Sequence, residues 1–221
     1  MNRVVFLMDT GRAATLEAAA WFIAHGDRVY LGVRTLPEIK TEGIEYLILN
    51  PLDEEGLQQT VKTVEEQCGR LDILVIGAGL HPKDGEIGTG HDYDQMADTI
   101  AQNVYGCNRT VEAFLPLLQQ GMKRIASITE IEASNSWSTG KEDLAYHASL
   151  ASINMLGKIL FNKLRPEGFT FRWYCDDGVP GGMCAADYMT SDLCYDPKEP
   201  YIHSDENRLV LRDAYLREIS W

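Results

Sequence analysis

Short unbroken apolar runs alternate along this chain with stretches whose apolar residues recur at helical spacing. Val4 to Met8 is the first run. It meets Asp9-Thr10-Gly11, after which Leu16 to His25 has the period of a helix that Gly26 closes. Runs follow at Arg28 to Val33 and at Ile44 to Leu49, the second ended by Asn50-Pro51, and Asp53 stands at the N-cap of a helix predicted to reach Gln67, with Gly69 after it. Leu71 to Ile76 is an apolar run bounded by Gly77, which suits a strand buried on both faces. A long helix from about Tyr93 to Gln120, a strand at Arg124 to Ile128, a helix from Leu144 to Leu164 and a strand from Phe169 to Cys175 complete the series. Arg208 to Arg212 reads as an edge strand. Strict β and α alternation with short joins predicts a parallel sheet with helices on both sides, an α/β fold in three layers.

Composition narrows the picture. At 221 residues and 45% hydrophobic the chain can bury one sizeable core, so a single domain spanning 1–221 is expected. A net charge of -13 repels polyanions, which argues against nucleic acid and anionic membrane as partners. No run approaches the ~18 apolar residues of a membrane helix. The cysteines, 5 in number and without a Cys-x-x-Cys pair, favour neither a disulfide framework nor a zinc ribbon. A strand from Val4 leaves no room for a charged leader and apolar signal core, and the expectation is a cytoplasmic chain.

Local words then carry a resemblance. Thr10-Gly11-Arg12-Ala13-Ala14-Thr15-Leu16-Glu17 lies between the first strand and helix, Ile76-Gly77-Ala78-Gly79 follows the fourth strand, Asn103-Val104-Tyr105-Gly106 sits in the long helix, Tyr146-His147-Ala148-Ser149-Leu150 opens a later one, and Pro180-Gly181 comes late. In this order and over nearly the whole chain they resemble the short-chain dehydrogenase/reductase family. That resemblance implies a Rossmann-type doubly wound sheet binding NAD(P) at its carboxyl edge, with Thr10, Gly11, Arg12, Arg34, Asn50, Gly77, Ala78 and Gly79 at cofactor positions. Arg34, at the end of the second strand, stands where the family reads the adenosine ribose; an arginine there implies NADP(H) over NAD(H). Asn50 matches the position that faces adenine.

The departures matter as much. The family's second and third loop glycines fall on Thr15 and Glu17. Such glycines let the backbone approach a pyrophosphate held at a helix N-terminus. Thr15 is expected to crowd that approach and Glu17 to set a carboxylate in the first turn. Like charges ~4 Å apart cost roughly 4 kcal/mol at an effective dielectric near 20, unless Arg12 compensates. By itself Glu17 is an ordinary helix-start carboxylate.

In active relatives a serine, a tyrosine and a lysine act together, with the helix asparagine holding a relay water. Tyr146 matches the tyrosine and Asn103 the asparagine, whereas Glu130 falls on the serine position and Leu150 on the lysine. A phenol titrates near ~10 unless a cation lowers it; Leu150 supplies none, and a carboxylate at Glu130 opposes the shift. Ser127, Ser134, Ser136 and Ser138 are nearby hydroxyls, and Lys141 and Lys158 the nearest lysines. The lid that should follow Pro180-Gly181, at about 182–200, is too short for the family's helices, so the substrate pocket is expected to be open. His81, Asp84, His91, Asp92 and Asp94 crowd one loop, in spacing that fits a solvated loop better than a metal site. The family pairs the 93–120 and 144–164 helices with their symmetry mates, which implies a homodimer or homotetramer, or a hetero-oligomer with an active relative. The expectation is a family member with a degraded loop and catalytic set, weakly active or non-catalytic, serving as a pseudo-enzyme subunit or a nucleotide-sensing module; the alternative is an active NAD(P)H-dependent oxidoreductase, reducing a small carbonyl or oxidising a secondary alcohol, with Tyr146 as acid/base.

Overall fold

A computed structural model describes residues 2–88, 90–176, 193 and 208–221. The Pro180-Gly181 turn and, Leu193 apart, the short lid lie outside them. Strand β1 (Val4–Met8), helix α1 (Ala13–Ala24), strands β2 (Arg28–Val33) and β3 (Ile44–Ile48) and helix α2 (Glu54–Cys68) precede β4 (Ile73–Ile76); the alternation expected from the sequence breaks once, where β2 runs to β3 without a helix. A small antiparallel pair, β5 (Gly85–Glu86) and β6 (Gly90–His91), precedes α3 (Tyr93–Ile100) and α4 (Gly106–Gln120). The chain then forms β7 (Arg124–Thr129), α5 (Leu144–Leu164), β8 (Thr170–Cys175), β9 (Leu211–Arg212) and β10 (Glu218–Ile219). Among the described residues the main sheet runs β10-β9-β8-β7-β4-β1-β2-β3, parallel except for β10. The last apolar run of the sequence therefore shortens to β9 and gains an antiparallel edge partner.

Both faces of the central strands β1, β4 and β7 are buried because successive side chains enter opposite cores. From β1, Phe6 and Met8 join Leu74, Phe114 and Trp173 beneath α2, α4 and α5, whereas Val5 and Leu7 join Phe22, Val29 and Val75 beneath α1. Helix α5 lies so close to β8 that a Cβ on Gly157 would meet Trp173 Cζ2 at 2.4 Å. Alanine is intrinsically the better helix former, yet Gly157→Ala is expected to destabilise by about 1–3 kcal/mol through overpacking. Thermal melting checks this, and an unchanged or raised midpoint would show that the indole yields freely.

Strand order reverses between β1 and β4, so their onward connections leave in opposite directions and open a crevice at the carboxyl edge. One element differs from the helical pattern read along the chain. The single helix expected from Tyr93 to Gln120 is two, joined by a π-helical turn at Ala101–Tyr105. The wider turn carries Asn103 inward, where it is buried, a rotation that hydrophobic periodicity does not record.

Candidate active site

The crevice is a groove of about 200 Å³, walled in part by Met8, Asp9, Gly11, Arg34, Gly77 and Gly79. Gly11 has φ +70° and open space where its Cβ would point. Gly79 allows the loop after β4 to close on the first crossover, since a Cβ there would sit 2.7 Å from the Asp9 carbonyl oxygen. Ala78 is buried in the core instead. Asn50 is exposed and turns the chain, its Oδ1 accepting from the Leu52 amide at 3.2 Å, and the groove wall there is Leu49 and Pro51.

Two expected obstructions are absent from this groove. Helix α1 starts at Ala13, so Glu17 lies in its second turn, exposed, and no carboxylate occupies the first. Thr15 is fully buried and its hydroxyl bonds that of Thr10 at 2.6 Å, which turns the side chain into the protein. The carboxylate that does face the groove is Asp9, whose Oδ1 accepts from the Gly11 amide at 2.9 Å. Its signal was an acidic residue directly before the Thr-Gly pair. Arg34 borders the groove without an ion pair to any described residue; burial lowers its pKa and Asp9 opposes the shift. Open backbone at Gly11, a guanidinium in Arg34 and close packing at Gly79 fit a phosphorylated dinucleotide, provided Asp9 swings off the amide.

Tyr146 opens α5 and is 3% exposed. Arg12, the N-cap residue of α1, donates from Nη2 to the Tyr146 hydroxyl and pairs with Glu130 at 2.6 Å. The cation that the phenol lacked along its own helix thus arrives from the first crossover. Burial is the largest influence on the phenol and pushes it up; Arg12 opposes this and Glu130 adds to it, leaving the pKa raised to about 12. Leu150, at the lysine position, is packed into the core. The serines take other duties: Ser134 and Ser136 donate to the carbonyls of Ser220 and Trp221, Ser138 accepts from Gly140, and Ser127 is buried without a partner among the described residues. Lys158 lies over the Phe161 ring.

The loop after β4 brings further groups to the phenol. Asn103 accepts from the Leu80 amide at 2.9 Å, and its Nδ2 donates to the Leu80 carbonyl at 2.8 Å and to Ser149 Oγ at 3.0 Å. The next residue, His81, stacks flat on Tyr146, with centroids 3.7 Å apart and planes 9° apart, and its Nε2 lies 3.0 Å from Asp143 Oδ2. Asp143 precedes α5 but does not cap it; Asp84 does, accepting from the Ala145 amide at 2.6 Å. The crowded loop is therefore only partly solvated: Asp84 is buried, its backbone carbonyl faces His91 Nδ1, and Asp92 caps α3 by accepting from the Gln95 amide. His81, Glu130, Glu132, His147 and Asp176 border a second pocket of about 440 Å³ beside Tyr146.

A family profile described as Enoyl-(Acyl carrier protein) reductase matches residues 17–172. The chain is 36% identical over 102 residues to C-signal of Myxococcus xanthus, covering 46% of this chain and 61% of that protein. It is 30% identical over 158 residues to the short-chain dehydrogenase/reductase ATR10 of Stachybotrys chlorohalonatus, covering 63% and 57%. The chain thus spans about three fifths of the length of these relatives. Its fold is similar to that of Sniffer from Caenorhabditis elegans, with a TM-score of 0.81 at 19% identity over 100% of both chains. It is also similar to the structure of ElxO with NADP bound, with a TM-score of 0.67 at 20% identity, covering 79% and 73%.

Proposed function

We propose, from the premise that this chain belongs to the short-chain dehydrogenase/reductase family, that it binds NADP(H) and slowly reduces a small carbonyl compound. The observation that carries this reading is the Arg12 guanidinium on the Tyr146 hydroxyl, which supplies a cation at the phenol although Leu150 cannot. When bound, the coenzyme supplies the hydride. Arg34 would hold its 2′-phosphate, and the open backbone at Gly11 its pyrophosphate. Tyr146, protonated at neutral pH, gives its proton to the substrate oxygen, and Arg12 stabilises the phenolate left behind. Burial and Glu130 make this phenol a reluctant acid, which accounts for slow turnover and favours reduction over alcohol oxidation, a reaction that would need the phenolate as base.

Calorimetry tests the coenzyme. NADPH is expected to bind at least about tenfold more tightly than NADH, because only NADPH offers a 2′-phosphate to a guanidinium. Arg34→Ala should erase that preference without affecting NADH. Failure of both coenzymes to bind at millimolar concentration would sink the proposal. A second reading, a nucleotide sensor without turnover, is favoured by the Glu130 carboxylate on Arg12; coenzyme binding with no reduction of diacetyl or other small ketones would establish it. A homodimer or homotetramer through α4 and α5 is likewise a proposal, supported by the exposed apolar side chains of Tyr105, Met155 and Ile159.

A further inference from the structure

The reaction proposed above consumes one proton per turnover, yet the phenol that delivers it is sealed. Tyr146 is buried, its hydroxyl lies under Arg12, and the side chain one turn further along α5 is Leu150 in the core. A titratable group that touches both the phenol and the outside is needed, and His81 is such a group. Its ring covers the face of Tyr146, while its side chain, 48% exposed, borders the 440 Å³ pocket.

The surroundings hold it in that position. Asn103 grips both the amide and the carbonyl of Leu80, fixing the backbone next to His81. Asp143, with φ +55° and ψ +48°, holds a left-handed conformation that places its carboxylate on His81 Nε2. Asp84 caps α5 from the neighbouring loop and so releases Asp143 from that duty. A carboxylate on one ring nitrogen orients an imidazole, the arrangement a proton carrier requires.

We infer that the His81–Asp143 pair is the proton relay of this site, passing protons from solvent in the pocket to Tyr146 in place of the absent lysine. This rests on the reductase reading. As hydride adds to the carbonyl carbon, the C=O π pair moves to oxygen, which takes the Tyr146 proton. The phenolate is reprotonated by the His81 imidazolium stacked on it, and His81 recovers a proton from solvent in the pocket. The titratable and charged groups around His81 are Asp143 before α5, Tyr146 and His147 on α5, Glu130 and Glu132 after β7, Asp176 after β8, Arg12 beyond the phenol, and Lys83 and Asp84 on its own loop.

The test is NADPH-dependent reduction of diacetyl as a function of pH. A relay imidazole must be protonated to act, so the rate should carry a limb that falls as pH rises and that depends on His81. His81→Phe keeps a ring on the phenol but carries no proton; its rate should drop about a hundredfold and the pH limb should vanish. Imidazole added to His81→Ala should restore at least about tenfold of the loss, which also shows that the variant is folded. Asp143→Asn should lower the rate about tenfold while retaining the limb. An unchanged rate and limb in His81→Phe would overturn the relay alone. Absence of turnover in the unmodified protein would overturn the reductase reading and the relay with it.

Discussion

Arg12→Leu is expected to reduce NADPH-dependent turnover by about a hundredfold or more. Two influences, burial and Glu130, hold the Tyr146 phenol up at about 12, and one, Arg12, pulls it down. Removing the guanidinium leaves only the two that raise it, so the phenol becomes a weaker acid and its phenolate loses its counter-charge. A unit charge at about 4 Å is worth roughly 4 kcal/mol at an effective dielectric near 20, more than the 1.4 kcal/mol per decade needed to account for a hundredfold loss. Glu130→Gln should act in the opposite sense, because it removes a group that raises the phenol and frees Arg12 from its ion pair. Spectrophotometric titration of phenolate should place Tyr146 above the wild type in Arg12→Leu and below it in Glu130→Gln. Wild-type turnover in Arg12→Leu would remove the basis of the proposed mechanism.

Asn103→Leu is expected to be the most destabilising change at the site. The side chain is 1% exposed and satisfies the Leu80 amide, the Leu80 carbonyl and the Ser149 hydroxyl together. Leucine would leave the half-buried Leu80 amide and carbonyl without their partner at about 1–3 kcal/mol each, for a total of about 2–6 kcal/mol and, at ~2–4 °C per kcal/mol, a melting point lower by roughly 4 °C or more. Because Leu80 fixes the backbone of His81, the ring should also leave the phenol. The upfield ring-current shift of the His81 Cε1–H resonance would disappear even at temperatures where the variant is folded. A melting point within a degree or two of wild type would show that Asn103 is peripheral to this loop.

The alternation of apolar runs and helical periods was sufficient for the layered architecture, because burial on both faces of a parallel sheet leaves uninterrupted apolar strands. It was silent on the π-helical turn, where apolar spacing continues across a change in winding. Glycine positions were legible in part. Gly11 does face the groove, but whether Thr15 and Glu17 obstruct it depends on where α1 begins, and a start at Ala13 turns both away. Asp9 lies outside the glycine motif, yet its carboxylate borders the groove.

From sequence alone one could know that position 150 carries no charge, that position 130 carries a carboxylate and that a phenol stands at 146, because the identity of a side chain is a local property. Which cation reaches that phenol is not local. Arg12 and Tyr146 are 134 residues apart, and His81 and Asp143 are 62 apart; they meet because parallel strands bring every crossover back to the same edge of the sheet. Electrostatic influence falls with distance in space, whereas periodicity records only neighbours along the chain, so the charge balance at Tyr146 was decided by the fold.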